Sequence, residues 1–289
     1  MKKKKKIDIS TVLLLGIFLI GFGLIIYPPF ANWWNQDHAA KVISSYDESI
    51  SRMNQEKINQ ELEKAQKFNE QLWTYFFPLK DEEALKDYND ILNINGDGVI
   101  GSITIDKINV NLPIYHGTSA EVLNTAVGHL EGTSFPTGDI DTHCVLSAHR
   151  GLPSALLFTN LDALREGDVF VLNVLNKKQY YEVDQIRIVK PSQVEELYLQ
   201  KGKTYVTLLT CTPYGINSER LLVRGHLVDA PPGELVSEAV ELDSLILSPL
   251  LFVLLVVLLL VALWKYDKNK KIHREKITED LIGTEDDSK

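Results

Sequence analysis

The chain has 289 residues, 45% of them hydrophobic and 24% charged, which fits one sizeable globular domain with appended segments. It contains no low-complexity block and no internal repeat, which excludes solenoid and propeller architectures. The net charge of the chain is −9. Because residues 1–10 carry +4 and residues 265–289 carry no net charge, the part between them carries −13. This acidic charge argues against nucleic acid as a partner and permits a lysine-bearing substrate.

The N-terminus has the pattern of a membrane anchor. A basic cytoplasmic tail is predicted at residues 1–10 and a transmembrane anchor at residues 11–28, an uncharged and apolar stretch. Its length is close to the ~20 residues that cross the hydrocarbon core. A cleaved signal peptide is the alternative, but its apolar core usually has ~7–15 residues. Trp33 and Trp34 then suit the outer membrane interface.

A second transmembrane helix is predicted near the C-terminus. Residues 245–264 carry no charge, a linker over 231–244 precedes them, and a cytoplasmic tail follows over 265–289. Basic residues flank both spans on the sides that face the chain ends. The positive-inside rule therefore predicts a multi-pass cell-membrane protein with two spans, both termini in the cytoplasm and an extracellular domain between them.

The extracellular part begins with a helical arm, predicted over residues 36–95. Apolar residues recur at steps of three and four from Ile43 to Leu72, which predicts an amphipathic helix over 36–72. Pro78 interrupts the pattern, which then resumes. An alternative is that the arm is only a strut between membrane and domain.

Residues 96–230 have the pattern of a β-domain. Short runs rich in Val, Ile, Thr and Tyr are separated by turn residues, which indicates seven or eight strands and a closed or nearly closed barrel. The runs cover 98–105, 109–117, 143–149, 168–175, 179–189, 204–211 and 220–228. Short helices are predicted only at 119–127, 154–164 and 192–200.

Three residues of reactive type lie at the ends of predicted strands. Cys211 ends one run, His149 ends another, and Arg220 begins the last run nine positions after the cysteine. A thiol nucleophile needs a nearby base or cation, and an imidazole can also protonate a leaving amine. An arginine can stabilise an oxyanion. Spacing alone leaves open that the cysteine is buried and that the other two are ordinary surface residues.

Two nearby residues compete for these roles. Arg224 shares the strand face of Arg220 but lies four residues farther on, roughly 13 Å from the turn, and we expect a barrel-surface ion pair there. His226, the only outer histidine after Cys211, lies roughly 20 Å along the strand and is a poor base.

The sequence predicts no metal site. The seven histidines lack the common zinc spacings. The segment NINGDG, residues 93–98, resembles a calcium loop, but Thr104 stands where that loop needs a bidentate Glu. We therefore predict a turn that leads into a strand.

The motifs around these residues resemble a known family. TLLTC, followed nine residues later by the arginine of RLLVRG, resembles the sortase signature, and HCVLSAHRGLPSALLF resembles the sortase histidine region. The fuller TCTPYGINSERLLVRGH, the second span and the helical arm resemble class C, the pilin-polymerising sortases. The resemblance implies a mainly β fold: an eight-stranded sortase-type β-barrel with short helices, preceded by an N-terminal helical arm and flanked by two transmembrane helices.

The resemblance also implies a cysteine transpeptidase chemistry without a cofactor. Cys211 would be the nucleophile, His149 the acid and base, and Arg220 the anchor for the oxyanion or the substrate backbone, while Thr210 would border the substrate pocket. The family cleaves LPXTG-type sorting signals between Thr and Gly, holds the acyl group as a thioester and passes it to an amine. In class C that amine is typically a pilin lysine. The expected partners are pilins or surface proteins that bear such signals, together with the membrane.

Class C sortases often carry a lid before the barrel, with an Asp-Pro-aromatic motif. This chain contains no Asp-Pro dipeptide. The segment LWTYFFPLKDEE lies where the lid should be, and it offers as candidate plugs Trp73, Tyr75, Phe76 and Phe77. The alternative is that these aromatic residues pack the arm on the barrel. A weaker or differently latched lid is predicted.

The chain has two cysteines, Cys144 and Cys211. If His149 reaches Cys211, then Cys144 lies five strand residues behind the histidine, roughly 16 Å away. A disulfide requires Cα atoms within ~7 Å, so two free thiols are predicted.

Three functions remain open from the sequence. The first is polymerisation of pilins, the second is attachment of surface proteins to a peptidoglycan precursor, and the third is a non-catalytic membrane-tethered β-domain that scaffolds partners. The two-span pattern and the segment TCTPYGIN favour the first.

Overall fold

The computed structural model describes residues 9–74 and 82–230, so the predicted linker, second span and C-terminal tail lie outside the described residues. Three helices precede the β-domain: α1 (Ile9–Ser51), α2 (Gln55–Leu72) and the short α3 (Glu82–Leu85). By length and composition α1 can cross a membrane, within residues Gly16–Ser51.

The predicted 36–72 helix contains a break that the sequence did not indicate, whereas Pro78, where the pattern is predicted to break, lies outside the described residues. One continuous helix, α1, runs through Pro28 and Pro29 to Ser51, so the anchor and the first part of the arm are the same element. The additional break falls after Ser51, inside the predicted helix. There Asn54 caps α2, its side-chain oxygen accepting a hydrogen bond from the N–H of Lys57 at 3.0 Å. An Asn in extended conformation satisfies a free N–H of the new helix and so favours a start there.

The predicted eight-stranded barrel is confirmed. The strands are β1 (Val99–Ile105), β2 (Val110–His116), β3 (Val127–His129), β4 (Thr142–Ser147), β5 (Val169–Val174), β6 (Lys177–Val189), β7 (Thr204–Thr212) and β8 (Glu219–Val228). They close in the order β1-β2-β3-β4-β7-β8-β6-β5. Neighbours are antiparallel except β2–β3 and β4–β7, which are parallel. Closure leaves no free sheet edge.

The predicted helices inside the β-domain are shorter than expected. Only α4 (Ala120–Leu123) is α-helical, and the segments 154–164 and 192–200 each contain one 3₁₀ turn, at Leu161–Ala163 and Glu195–Leu197. The calcium-like segment is a turn, because Asn93 Oδ1 accepts a hydrogen bond from the N–H of Gly98 at 2.9 Å, just before β1.

Helix α1 packs along the barrel from one end to the other. We call the end at which β4 and β7 finish and β8 begins the site rim, and the other end the far rim. Toward the far rim, the buried Tyr46 hydroxyl donates to the carbonyl of Ile100 at 3.0 Å and accepts from the N–H of Leu175 at 3.1 Å. Toward the site rim, Asn35 donates to the carbonyl of Thr125 at 3.0 Å, two residues before β3. Helix α1 therefore contacts the barrel toward both rims.

Candidate active site

Two parallel strands finish side by side at the site rim. In the pairing of β4 with β7, Ser147 lies opposite Leu209. The pairing continues past the end of β4, because the N–H of Ala148 donates to the carbonyl of Leu209 at 3.2 Å. Since parallel partners advance together, His149, which is the next residue along the chain and lies two positions past the end of β4, comes level with Cys211 on β7. Both residues are partly exposed.

Thr210 holds these two strand ends together. Its side chain is buried, and its hydroxyl donates to the carbonyl of Ala148 at 2.8 Å. The hydroxyl therefore points toward the end of β4. Thr210 directly precedes Cys211 and Ala148 directly precedes His149, so this hydrogen bond joins the two chain segments one residue before the cysteine and the histidine. The prediction that Thr210 borders the substrate pocket stays a prediction, while its contact in the structure is one that positions His149.

Arg220 lies directly across from the cysteine. In the antiparallel pairing of β7 with β8, Cys211 and Arg220 are Cα partners. The guanidinium donates to two carbonyls of its own turn, those of Asn217 at 3.2 Å and Glu219 at 3.0 Å. Within the described part of the chain no carboxylate pairs with it. Its positive charge is therefore not neutralised by an acid and is available to interact with a ligand.

Arg224, the competing arginine, has the role predicted for it. Its guanidinium donates to both carboxylate oxygens of Asp184, at 2.9 and 3.1 Å, and lies 4.2 Å from the ring centre of Tyr205. A guanidinium with a bidentate acid and an aromatic partner has its donors and charge occupied.

Arg150, which the sequence did not indicate as a site residue, stabilises the turn after His149. Its guanidinium is largely buried, donates to the hydroxyl of Thr212 at 3.3 Å and pairs with Asp162. It also lies 6.0 Å from the ring centre of Tyr214. These contacts tie the histidine turn to the end of β7. The sequence offers only the position of Arg150 beside the histidine as a signal, because its acidic partner is twelve residues away, in the 3₁₀ turn Leu161–Ala163.

The two cysteines are free thiols, as predicted, and differ in burial. Cys144 is 1% exposed, and burial raises the pKa of its thiol well above the ordinary value. Cys211 is partly exposed at the site rim. Since the thiolate is the nucleophile, only Cys211 has the surroundings of a reactive cysteine.

Two other barrel histidines, His129 and His143, are buried and hydrogen-bonded on both ring nitrogens. His129 is fully buried, and its ring contacts the hydroxyl of Tyr88 at 2.8 Å and the carbonyl of Ser134 at 2.9 Å. His143 lies between the carbonyl of Tyr198 at 3.0 Å and the hydroxyl of Thr207 at 2.7 Å. Burial lowers the pKa of each histidine to about 4. Among the described residues no group of three His, Cys, Asp or Glu side chains could hold a metal ion.

The candidate lid residues divide between described and undescribed parts of the chain. Trp73 donates its indole N–H to the carbonyl of Asp141 at 3.1 Å, and Asp141 directly precedes β4, so Trp73 lies toward the far rim. This contact fits the alternative in which the aromatic residue packs the arm on the barrel. Tyr75, Phe76 and Phe77 lie outside the described residues, and their lid role stays a prediction.

The fold and the site can now be compared with known proteins. A family model described as Sortase domain matches residues 103–228. The crystal structure of sortase C1 from Streptococcus agalactiae is 45% identical and aligns with a TM-score of 0.63, covering 66% of this chain and 100% of that one. The chain belongs to the sortase family.

Further neighbours place this sortase in class C. The structure of Clostridium perfringens sortase C with the C-terminal cell wall sorting motif is 45% identical, with a TM-score of 0.59, and covers 66% of this chain and 100% of that chain. Among curated relatives, Sortase D of Bacillus subtilis (strain 168) is 32% identical over 131 residues, which are 44% of this chain and 63% of that protein. Sortases are cysteine transpeptidases, so the predicted enzyme class is confirmed.

Proposed function

We propose that this sortase is a membrane-anchored transpeptidase that cleaves LPXTG-type sorting signals between Thr and Gly and transfers the acyl group to a pilin lysine. One observation carries the proposal: Cys211 on β7 and Arg220 on β8 are Cα partners at the site rim, and His149 follows the end of the neighbouring strand β4 by two residues. A nucleophile, a proton carrier and a fixed cation are the groups that acyl transfer needs.

In the first step the Cys211 sulfur attacks the Thr carbonyl carbon and gives its proton to His149. The C–O double bond opens to an oxyanion, and Arg220 provides N–H donors for that oxygen or for the adjacent substrate backbone. When the tetrahedral intermediate collapses, the C–N bond to Gly breaks and His149 protonates the leaving amine. The product is a thioester on Cys211.

In the second step a lysine amine attacks the thioester carbon. His149 accepts the proton of the attacking amine, the C–S bond breaks, and His149 gives that proton to the leaving sulfur, which restores the thiol of Cys211. An amide replaces the amide that was cleaved, so the exchange needs no external energy source. A site from which water is excluded favours attack by the amine over hydrolysis.

The proposed location follows from α1. The helix is long and apolar enough to cross a membrane by length and composition, which supports one N-terminal anchor. We extend the proposal to a second span at 245–264 and to cytoplasmic termini on the charge pattern of the sequence. We also propose the domain limits that the sequence indicates, which are 36–95 for the arm and 96–230 for the catalytic domain.

The decisive test is the acyl-enzyme. The full chain in detergent micelles is incubated with an LPXTG peptide, and its intact mass is measured. We expect an adduct with the mass of the peptide acyl group that is lost in Cys211→Ala and kept in Cys144→Ser. A chain that forms no adduct, even after deletion of residues 73–81 to remove any lid, would favour a scaffold role.

The acceptor separates polymerisation of pilins from attachment to a peptidoglycan precursor. Once the thioester has formed, a peptide with a lysine side-chain amine competes with a peptide whose only amine is N-terminal. Pilin polymerisation predicts preferential transfer to the lysine. Preferential transfer to the N-terminal amine contradicts the lysine acceptor and favours the attachment function.

A further inference from the structure

The helix that we propose as the anchor touches the loop that carries the proposed acid and base. Asn32 of α1 accepts a hydrogen bond from the N–H of Leu156 at 2.9 Å. Two residues later, the N–H of Phe158 donates to the carbonyl of His149 at 3.2 Å. The site rim is therefore connected to α1 at Asn32, through one short loop.

The position of Asn32 along α1 sets its depth relative to a bilayer. No charged residue occurs between Asp8 and Asp37. About 20 of these residues cross the hydrocarbon core at a rise of about 1.5 Å each. Trp33 and Trp34 are exposed and directly follow Asn32. Because Trp is enriched at the membrane–water interface, Asn32 and the loop that it binds come to lie at headgroup level.

The surface of the rim is apolar and aromatic at this level. The turn between β7 and β8 exposes Tyr214 at 60% and Ile216 at 72%, and Leu156 is also exposed. The turn packs on the histidine loop, since a Cβ at Gly151 would come within 3.0 Å of the Tyr214 ring. Tyr214 therefore contacts the loop that carries Leu156, and Ile216 lies two residues after Tyr214 in the same turn. Tyrosine and aliphatic side chains at the end of a membrane helix suit the interfacial region.

We propose that this surface, formed by Leu156, Tyr214 and Ile216, lies in the headgroup region of the bilayer that α1 crosses. The partner is the lipid surface itself. The inference rests on the proposed anchoring by α1 and extends it, because it makes the site rim a second membrane contact. The proposed active site then opens next to the membrane surface, where a substrate held in the same bilayer reaches it.

Depth measurement by spin labelling tests this directly. The full chain carrying Cys211→Ala is combined with Ile216→Cys, spin labelled and reconstituted into vesicles of phosphatidylcholine and phosphatidylglycerol. Cys144 is buried, so the Cys211→Ala chain without an added cysteine serves as the labelling control. The matched variant is Ile140→Cys, because Ile140 is 66% exposed and lies next to Asp141, before β4, at the far rim.

The two labels should differ in their access to a water-soluble and a membrane-soluble relaxation agent. We expect the label at position 216 to show the accessibility of the lipid interface and the label at 140 that of bulk water. Equal, aqueous accessibility at both positions overturns the inference. A chain that does not float with the vesicles overturns the anchoring as well. Neither result depends on catalysis, so failure here is distinct from failure to form the acyl-enzyme.

A functional measurement separates a lipid contact from a substrate contact. Ile216→Asp is compared with Ile140→Asp in the catalytically intact chain. We expect Ile216→Asp to lower transfer at least several-fold when enzyme and substrate share a vesicle, and to leave cleavage of a soluble peptide in detergent unchanged. Equal loss with the soluble peptide would show that the surface binds substrate, which overturns the inference. Ile140→Asp should change neither rate.

Discussion

The Arg220 side chain is held by its own turn, with two carbonyl acceptors and, in the described part of the chain, no acid. We predict that Arg220→Ala lowers kcat/KM for an LPXTG peptide by about 10²- to 10³-fold, the range for loss of an oxyanion donor. Arg220→Lys keeps the charge but lacks the planar fork of donors, so it should recover only part of the rate. Steady-state cleavage assays measure both.

Arg224 provides the control for that series. Because its guanidinium is engaged with Asp184 and Tyr205, Arg224→Lys should lower stability rather than the rate per folded molecule. If Arg224→Lys impairs cleavage as strongly as Arg220→Ala while the chain stays folded, the assignment of Arg220 loses its basis.

The two thiols offer a second prediction. In the folded chain, iodoacetamide should modify Cys211 and leave Cys144, which is 1% exposed, unmodified. After denaturation both should react, because the difference arises from burial and not from sequence. Peptide mapping by mass spectrometry gives the two rates. Comparable rates in the native chain would contradict the packing of β4.

At the residue scale the sequence indicates the three residues of the proposed site. Each of Cys211, His149 and Arg220 stands where an apolar run meets a turn, and strand ends are visible in a sequence. Arg150 was not indicated, because its contacts join the histidine turn to the 3₁₀ turn at Leu161–Ala163 and to the end of β7, and such contacts depend on tertiary packing. The hydrogen bond from the Thr210 hydroxyl to the carbonyl of Ala148 was not indicated for the same reason.

At the scale of elements, the hydrogen bond from Thr210 to Ala148, together with that from the N–H of Ala148 to the carbonyl of Leu209, holds the end of β4 beside β7. We predict that Thr210→Val lowers the free energy of unfolding by about 1–3 kcal/mol, because it leaves the buried carbonyl of Ala148 without its donor. The rate of acylation should fall as well, since His149 directly follows Ala148. Thr210→Ser keeps the hydroxyl and should recover most of both losses. Urea unfolding and the acyl-enzyme assay provide the measurements.

The same bond also discriminates between two roles for Thr210. If Thr210→Ser, which removes only the methyl group, impairs acylation while Thr210→Val, which keeps that methyl group, does not, then the methyl group contacts substrate and the positioning role is wrong.

The barrel was predictable because its strands carry a strong local pattern. Strand β3 was missed, since three residues with Gly128 in the centre are too short to show alternation. Gly128 is needed there because a Cβ would come within 2.3 Å of the carbonyl oxygen of Gly117. The order of strands was not predictable either, because pairing of β4 with β7 joins segments that lie far apart in the sequence.

At the scale of the whole molecule, two buried histidines make stability depend on pH. His129 and His143 have pKa values of about 4 in the folded protein, compared with an ordinary value of 6.5. Between these values the unfolded chain binds more protons, so stability rises with pH in that window and falls as the pH drops from 6.5 toward 4. Each histidine contributes a slope of up to about 1.4 kcal/mol per pH unit.

Unfolding of the full chain in detergent at pH 6.5, 5.5 and 4.5 measures this slope. His129→Gln should lower the number of protons taken up on unfolding by close to one, and the slope falls accordingly. His38→Gln, at an exposed position on α1, should leave the slope unchanged. An identical slope in both variants would show that other groups cause the acid sensitivity.

The parallel pairing of β4 with β7 has a consequence for the synthesis and folding of each chain. The chain forms β5 and β6 between these two strands, so His149 is synthesised before Cys211, the residue with which it would act. The two side chains become neighbours only when β7 has inserted between β4 and β8. A nascent or misfolded chain therefore lacks this pairing of Cys211 with His149, and we expect the proposed chemistry to require the completed fold.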